Sequence, residues 1–145
     1  MSMIFNDQNI QIREQVNNWQ EALKIASQPL LNSHKITNTY VKNMIKSVKE
    51  NGPYMVLTDY FALMHARPGK GVNNIGMSLL VLKHPVDLEG KPVKIFLVMA
   101  ALDNTSHLNT LKRIMNILMN NKSFKIILNG NKKEIIDLFK EGEKV

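Results

Sequence analysis

Cysteine is absent and histidine occurs four times, so the imidazoles are the first place to look for a side chain that is nucleophilic near neutral pH. His65 stands in "DYFALMHARPGKGV" (residues 59–72), after the apolar run Phe61, Ala62, Leu63, Met64 and before a Pro–Gly loop. A ring in that position is held on one side by a buried segment and open to a reactant on the other. A free imidazole is mostly uncharged at neutral pH, and its nitrogen forms covalent intermediates directly. A structural role accounts for the position of His65 equally well. Arg67, just beyond it, carries the guanidinium fork that suits phosphate or carboxylate, although an exposed loop arginine needs no function. Asp59, upstream in the same stretch, is either a carboxylate that accepts the second ring N–H and orients the imidazole, or a turn residue.

His107 follows "DNTS" (residues 103–106) at the expected first turn of a helix. Free N–H groups and the positive dipole end of a helix start favour an anion, and a histidine there adds one more donor for an oxyanion. The alternative is a solvent-facing ring. The segments carrying His65 and His107 both adjoin expected strand ends, which is compatible with one shared cleft. His34, in the "NSHK" turn, and His84, before Pro85, read as surface residues. Other motifs fail. "GKG" at residues 69–71 resembles part of a phosphate loop, but GxxxxGK[ST] needs a glycine where Met64 stands and a hydroxyl where Gly71 stands. HExxH and GxSxG are missing, and the histidines lack metal-ligand spacing, so the sequence supports no metal site, nucleotide site or serine triad.

The elements that must position these residues follow from periodicity. A chain of 145 residues, 44% hydrophobic and 21% charged, is long enough for a substantial core, and we expect a single domain over residues 1–145. No apolar stretch approaches the ~20 residues that span a bilayer. The first residues, "MSMIFNDQNIQIREQ", lack the pattern of a secretion signal, and with no cysteine the expectation is a cytoplasmic protein. The net charge of +7 is spread along the chain and carried mostly by lysine, with arginine only at Arg13, Arg67 and Arg113. No basic run, aromatic RNA-binding motif or zinc finger accompanies it, so we expect no nucleic-acid partner and a solvated, lysine-rich surface.

"NIQI" (residues 9–12) alternates as a short strand does. Val16, Trp19, Leu23, Ala26 and Leu30 then recur at helical steps, with Pro29 near the end, where it closes or kinks the helix. A second helix is expected from an N-cap at Thr37 to a stop at Gly52–Pro53, with Val41, Met44, Ile45 and Val48 buried. Strands are expected at residues 54–57, 76–83 and 93–102, the last two apolar on both faces and so central, with residues 84–92 as a loop between them. Leu108, Leu111, Ile114, Met115 and Leu118 mark a third helix capped by Thr105 or Ser106. "SFKIILNG" reads as helix in preference to strand, and "NKKEIIDLF" opens like a capping box on Asn131 and Glu134. Strands in the middle and helices at both ends imply an α/β (α+β) fold: one mixed β-sheet flanked by helices on both faces, in three layers.

Four segments together carry a resemblance: "W..A...A..PLL" (residues 19–31), "GPYMVL" (52–57), "HARPGKGVNNIGMSLLVLKHPV" (65–86) and "AALDNTSHLNTLKRI" (100–114). They resemble the IIA domains of the bacterial sugar phosphotransferase system (PTS), of mannitol/fructose type and its ascorbate-like branch. The resemblance runs from about residue 9 to residue 140. It implies a phosphoryl carrier that takes phosphate from phosphorylated HPr onto a histidine, which matches His65. The carrier then passes it to a cysteine of a IIB component, and only indirectly serves a membrane IIC permease. The family's second active-site histidine matches His107, which would hold the phosphoryl oxygens, with Arg67 as a further donor. The step implied needs no cofactor or metal. Met64 stands where many members have proline, and "IKSVKEN", with Ser47, stands where mannitol-type members carry a phosphate-holding arginine. The resemblance then leaves that task to Arg67 or a nearby lysine. Ascorbate or a pentitol is the sugar it suggests. A regulatory protein of the same fold, and a binding module that has lost the relay, share these sequence features.

Overall fold

The computed structural model describes residues 5–105 and 108–143. Five strands form one mixed sheet in the order β1-β4-β5-β3-β2: β1 (Ile10–Arg13), β2 (Val56–Thr58), β3 (Tyr60–Met64), β4 (Gly76–Leu88) and β5 (Lys91–Ala100). β1 runs parallel to β4 and β3 parallel to β5, while β4–β5 and β2–β3 are antiparallel. Helices α1 (Trp19–Asn32) and α2 (Asn38–Asn51) cover one face, and α3 (Leu108–Leu118), α4 (Asn121–Leu128) and α5 (Lys132–Glu143) the other. This is the three-layer arrangement expected from the order of periods.

The period-two alternation of a strand sorts the central side chains into two cores. Leu80 and Leu82 of β4, Phe96 and Val98 of β5, and Ala62 and Met64 of β3 pack beneath α1 and α2 with Trp19, Leu23, Tyr40 and Met44. Leu79 and Val81, Ile95 and Leu97, and Phe61 and Leu63 pack against Ile114, Leu118, Ile127 and Phe139 from the other three helices. β4 and β5 carry apolar residues on both faces because both faces are covered.

Caps and stops follow local chemistry. Asn18 Oδ1 accepts from the Glu21 N–H at 2.8 Å to start α1, and Asn131 Oδ1 accepts from the Glu134 N–H at 3.0 Å to start α5. Thr37 occupies the N-cap of α2, but its hydroxyl makes no capping bond; it lies 3.4 Å from the Gly71 carbonyl instead. Pro29 sits inside α1 without ending it. Proline cannot bond the carbonyl one turn back, that of Ile25, and Gln11 Nε2 of β1 donates to this oxygen at 2.6 Å.

Three sequence expectations are corrected. Residues 84–92 are not a loop: β4 continues to Leu88, a two-residue turn at Glu89 and Gly90 (φ 48° and 100°) reverses the chain, and Leu88 pairs with Lys91. Pro85 is accommodated because the β4–β5 register shifts between Val81 and Val86, so its missing N–H interrupts no ladder bond. The strand expected at residues 54–57 begins at Val56, since Tyr54 and Met55 form a turn closed by Val56 N–H to the Pro53 carbonyl at 3.0 Å. The third correction adds a strand. Residues 60–64, read only as an apolar run leading to His65, are β3, hydrogen-bonded between β5 and β2.

Candidate functional site

β3 ends at Met64, paired with Val98, and His65 is the next residue. Its half-buried ring is fixed by the strand that precedes it: Nδ1 lies 2.9 Å from the carbonyl oxygen of Leu63. A carbonyl only accepts, so Nδ1 carries the proton and Nε2 holds the lone pair. The edge of one ring meets the face of the other where Tyr54 packs on His65, with centroids 6.1 Å apart and planes at 85°.

The loop after His65 is held closely. Ala66 N–H donates to the Tyr40 hydroxyl at 3.1 Å, and that hydroxyl donates to the Met99 carbonyl at 2.6 Å. Burial pushes the Tyr40 phenol above its ordinary 10.0, and the Ala66 N–H partly opposes that rise. Gly69 N–H donates to the Ala101 carbonyl at 2.8 Å, and the Gly71 carbonyl accepts from the Thr37 N–H at 3.0 Å. Gly71 has φ +78°, and a Cβ there would stand 2.8 Å from the backbone nitrogen of Tyr40, so this position requires glycine for both conformation and space. The Pro–Gly segment is therefore a loop clamped to the start of α2 and to the exit of β5.

A cleft of about 610 Å³ opens beside the ring. His65, Arg67 and Lys70 line one wall; Asn43, Lys46, Ser47 and Glu50 of α2 line the other, with Tyr54 from the turn after that helix. Arg67 and Lys70 are exposed and have no ion-pair partner among the described residues. Lys46 is 3.8 Å from Glu50, an exposed pair worth little in water. Ser47 Oγ and Tyr54 Oη are 2.7 Å apart. The cleft thus presents one nucleophilic nitrogen, three cations, one carboxylate and a hydroxyl pair, a combination suited to receiving a small anion.

His65 and Arg67 line the same cleft. Asp59 does not join them: it stands in the turn before β3, and the five residues of that strand separate it from His65 at the other end. Of the two readings of Asp59, its place in the structure is that of a turn residue, and it is the Leu63 carbonyl that meets Nδ1 of His65. His107 and Ser106 lie outside the described residues. The chain approaches them from β5, whose exit at Ala101 is bonded to Gly69 at the same end of the sheet as His65. His34 and His84 are exposed, in line with their reading as surface residues. Tyr54 and Tyr40 were not singled out from the sequence, and Lys46 was read only as part of the solvated, lysine-rich surface. Tyr40 was legible as a core position four residues before Met44, with a hydroxyl that burial obliges to find a partner. Among the described residues no group of acidic, histidine or cysteine side chains is placed to hold a metal ion, and no helix is long and apolar enough to cross a membrane.

The family model described as "Phosphoenolpyruvate-dependent sugar phosphotransferase system, EIIA 2" matches residues 3–142. The mannitol-specific cryptic phosphotransferase enzyme IIA component of Escherichia coli is 28% identical over 145 residues, covering 98% of this chain and 99% of that protein. The ascorbate-specific PTS system EIIA component of Salmonella typhimurium is 32% identical over 120 residues, covering 80% of this chain and 78% of that protein. The solution structure of the mannitol-specific cryptic enzyme IIA from Escherichia coli superposes with a TM-score of 0.86 at 28% identity, over 94% of this chain and 95% of that one.

Proposed function

The chain belongs to the EIIA 2 family of the phosphoenolpyruvate-dependent sugar phosphotransferase system, and we propose that it is a phosphoryl carrier working through His65, with residues 1–145 acting as one domain on the cytoplasmic side. The observation that carries this reading is the bond from Nδ1 to the Leu63 carbonyl, which leaves the Nε2 lone pair as the nucleophile. As phosphorylated HPr approaches, Nε2 forms a bond to phosphorus while the bond to the donor breaks. The ring acquires imidazolium character, and Nδ1–H remains on the Leu63 oxygen, where the growing positive charge strengthens an existing hydrogen bond. No proton has to leave. In the second step the thiolate of a IIB cysteine attacks phosphorus, and the Nε2–P bond breaks to return a neutral imidazole, a good leaving group.

Arg67, Lys46 and Lys70 supply positive charge where the phosphoryl oxygens arrive, and the resemblance adds His107 as a donor. In this reading Arg67 and Lys46 take the place of the α2 arginine of mannitol-type members, since Ser47 stands there and lines the same cleft. Mannitol- and ascorbate-specific relatives are similarly close to this chain, which supports a carrier that never touches sugar and leaves the choice, ascorbate or a pentitol included, to the membrane IIC permease.

Incubation with phosphoenolpyruvate, enzyme I and HPr, followed by peptide mapping under non-acidic conditions, tests the proposal. Wild type should carry one acid-labile phosphoryl group on His65, and His65→Ala should carry none. His107→Ala should fold and take up label more slowly, by about a hundredfold to a thousandfold for loss of one charge-stabilising donor. Normal labelling of His65→Ala overturns the assignment.

A further inference from the structure

The Ser47–Tyr54 hydroxyl pair has no role in the relay as described above, yet it lines the same cleft as His65. Both groups reach that cleft from elements adjacent in the chain: Ser47 projects from the last turns of α2, and Tyr54 follows the Gly52–Pro53 stop. Tyr54 is 48% exposed, so its ring and hydroxyl are open to the cleft. Its ring already touches the imidazole. Hydrogen-bond accounting then points outward. Two hydroxyls carry two protons, and the 2.7 Å bond between them consumes one. One O–H therefore remains free to donate to a third group.

We propose that this free donor is the Tyr54 hydroxyl, that Ser47 orients it by donating to the Tyr54 oxygen, and that it donates to a phosphoryl oxygen once His65 is loaded. The inference rests on the carrier reading of His65. A donor polarised by a second hydroxyl is strengthened by it. Being neutral, the pair holds the phosphoryl group more loosely than a guanidinium would, which suits a group that must leave again. It also gives Ser47, which stands where mannitol-type relatives carry an arginine, an indirect part in holding the phosphoryl group, through Tyr54 and beside the charges of Arg67 and Lys46. The pair is exposed and adds little to stability, so removing either hydroxyl leaves a folded protein.

The test is the phosphoryl-transfer equilibrium with HPr, read by resolving phosphorylated and unphosphorylated forms of both proteins after mixing phosphorylated HPr with the unphosphorylated chain. Tyr54→Phe keeps the ring against His65 and loses only the donor; it should shift the equilibrium toward HPr by about threefold to tenfold, the range for one lost hydrogen bond. Ser47→Ala should shift it less, Ser47→Thr should restore it, and the double variant should be no worse than Tyr54→Phe, because the two hydroxyls act as a unit. The phosphorus NMR shift of the loaded histidine should move in Tyr54→Phe, a signature that a purely structural role would not produce. Wild type labelled on His65 with an unchanged equilibrium in Tyr54→Phe overturns this inference and leaves the carrier reading intact. Wild type that takes no label overturns both.

Discussion

A single buried phenol, Tyr40, joins three parts of the molecule: it sits on α2, donates to β5 at Met99 and accepts from Ala66 beside His65. Tyr40→Phe leaves the ring in place but strands one carbonyl and one N–H, at a cost of about 1–3 kcal/mol. The pH dependence has a definite sign. Burial raises the phenol above 10.0, so the folded state binds its proton more tightly than the unfolded chain does. The stability this provides is complete below 10.0 and is lost as pH rises from there through the folded value. Urea unfolding of both proteins across that range should show wild type losing stability faster with rising pH than Tyr40→Phe. Parallel loss in the two would remove Tyr40 from the account.

At the scale of elements, α1 contains its own exception. Pro29 deprives the Ile25 carbonyl of a helical donor, and Gln11 replaces that donor from β1, so a side chain of the edge strand completes the helix. The two substitutions should not add. Gln11→Ala should cost about 1 kcal/mol in wild type, the net worth of a typical hydrogen bond. In the Pro29→Ala background an N–H is available at residue 29 again, and the same change should cost clearly less. Equal costs in both backgrounds, measured by urea unfolding, would mean that the Ile25 carbonyl is satisfied in some other way. The clamped loop at residues 65–72 follows the same logic: its bonds run to α2 and β5, so the exposed segment next to His65 is placed by elements it does not belong to.

For the whole molecule, two cores share one sheet, and β5 lies at its centre with Phe96 facing α1 and α2 and Leu97 facing α3, α4 and α5. His65 follows a strand paired directly with β5, so the position of its ring depends on packing far from the cleft. Phe96 is fully buried; Phe96→Ala should destabilise the protein by about 3–5 kcal/mol through lost burial and the cavity left behind. At a temperature where that variant is still folded, labelling of His65 should persist, since no atom of the cleft has been removed. A large loss of stability together with retained labelling, followed by thermal melts and phosphorylation assays, separates the scaffold from the site. A loss below about 1 kcal/mol would mean that this core collapses around the gap.

The one-dimensional pattern of the sequence determined the helical stripes, the two central strands and the Asn131 start of α5, because each depends on residues within a turn or two of one another, and the order of those periods gave the layered α/β class. The pattern could not identify β3. The apolar run Phe61, Ala62, Leu63 and Met64 is only four residues long, too short for period or length to separate a strand from a buried helical turn, and hydrogen bonding to β5 and β2 makes it a strand. The same strand separates Asp59 from His65 although the two are close in the chain. Tertiary structure alone brought Tyr40 to Met99 and Ala66, Gln11 to Ile25, and Lys46, Ser47 and Tyr54 to the cleft. Those contacts form only after the sheet has ordered its strands β1-β4-β5-β3-β2, and that order is set by how both cores pack at once.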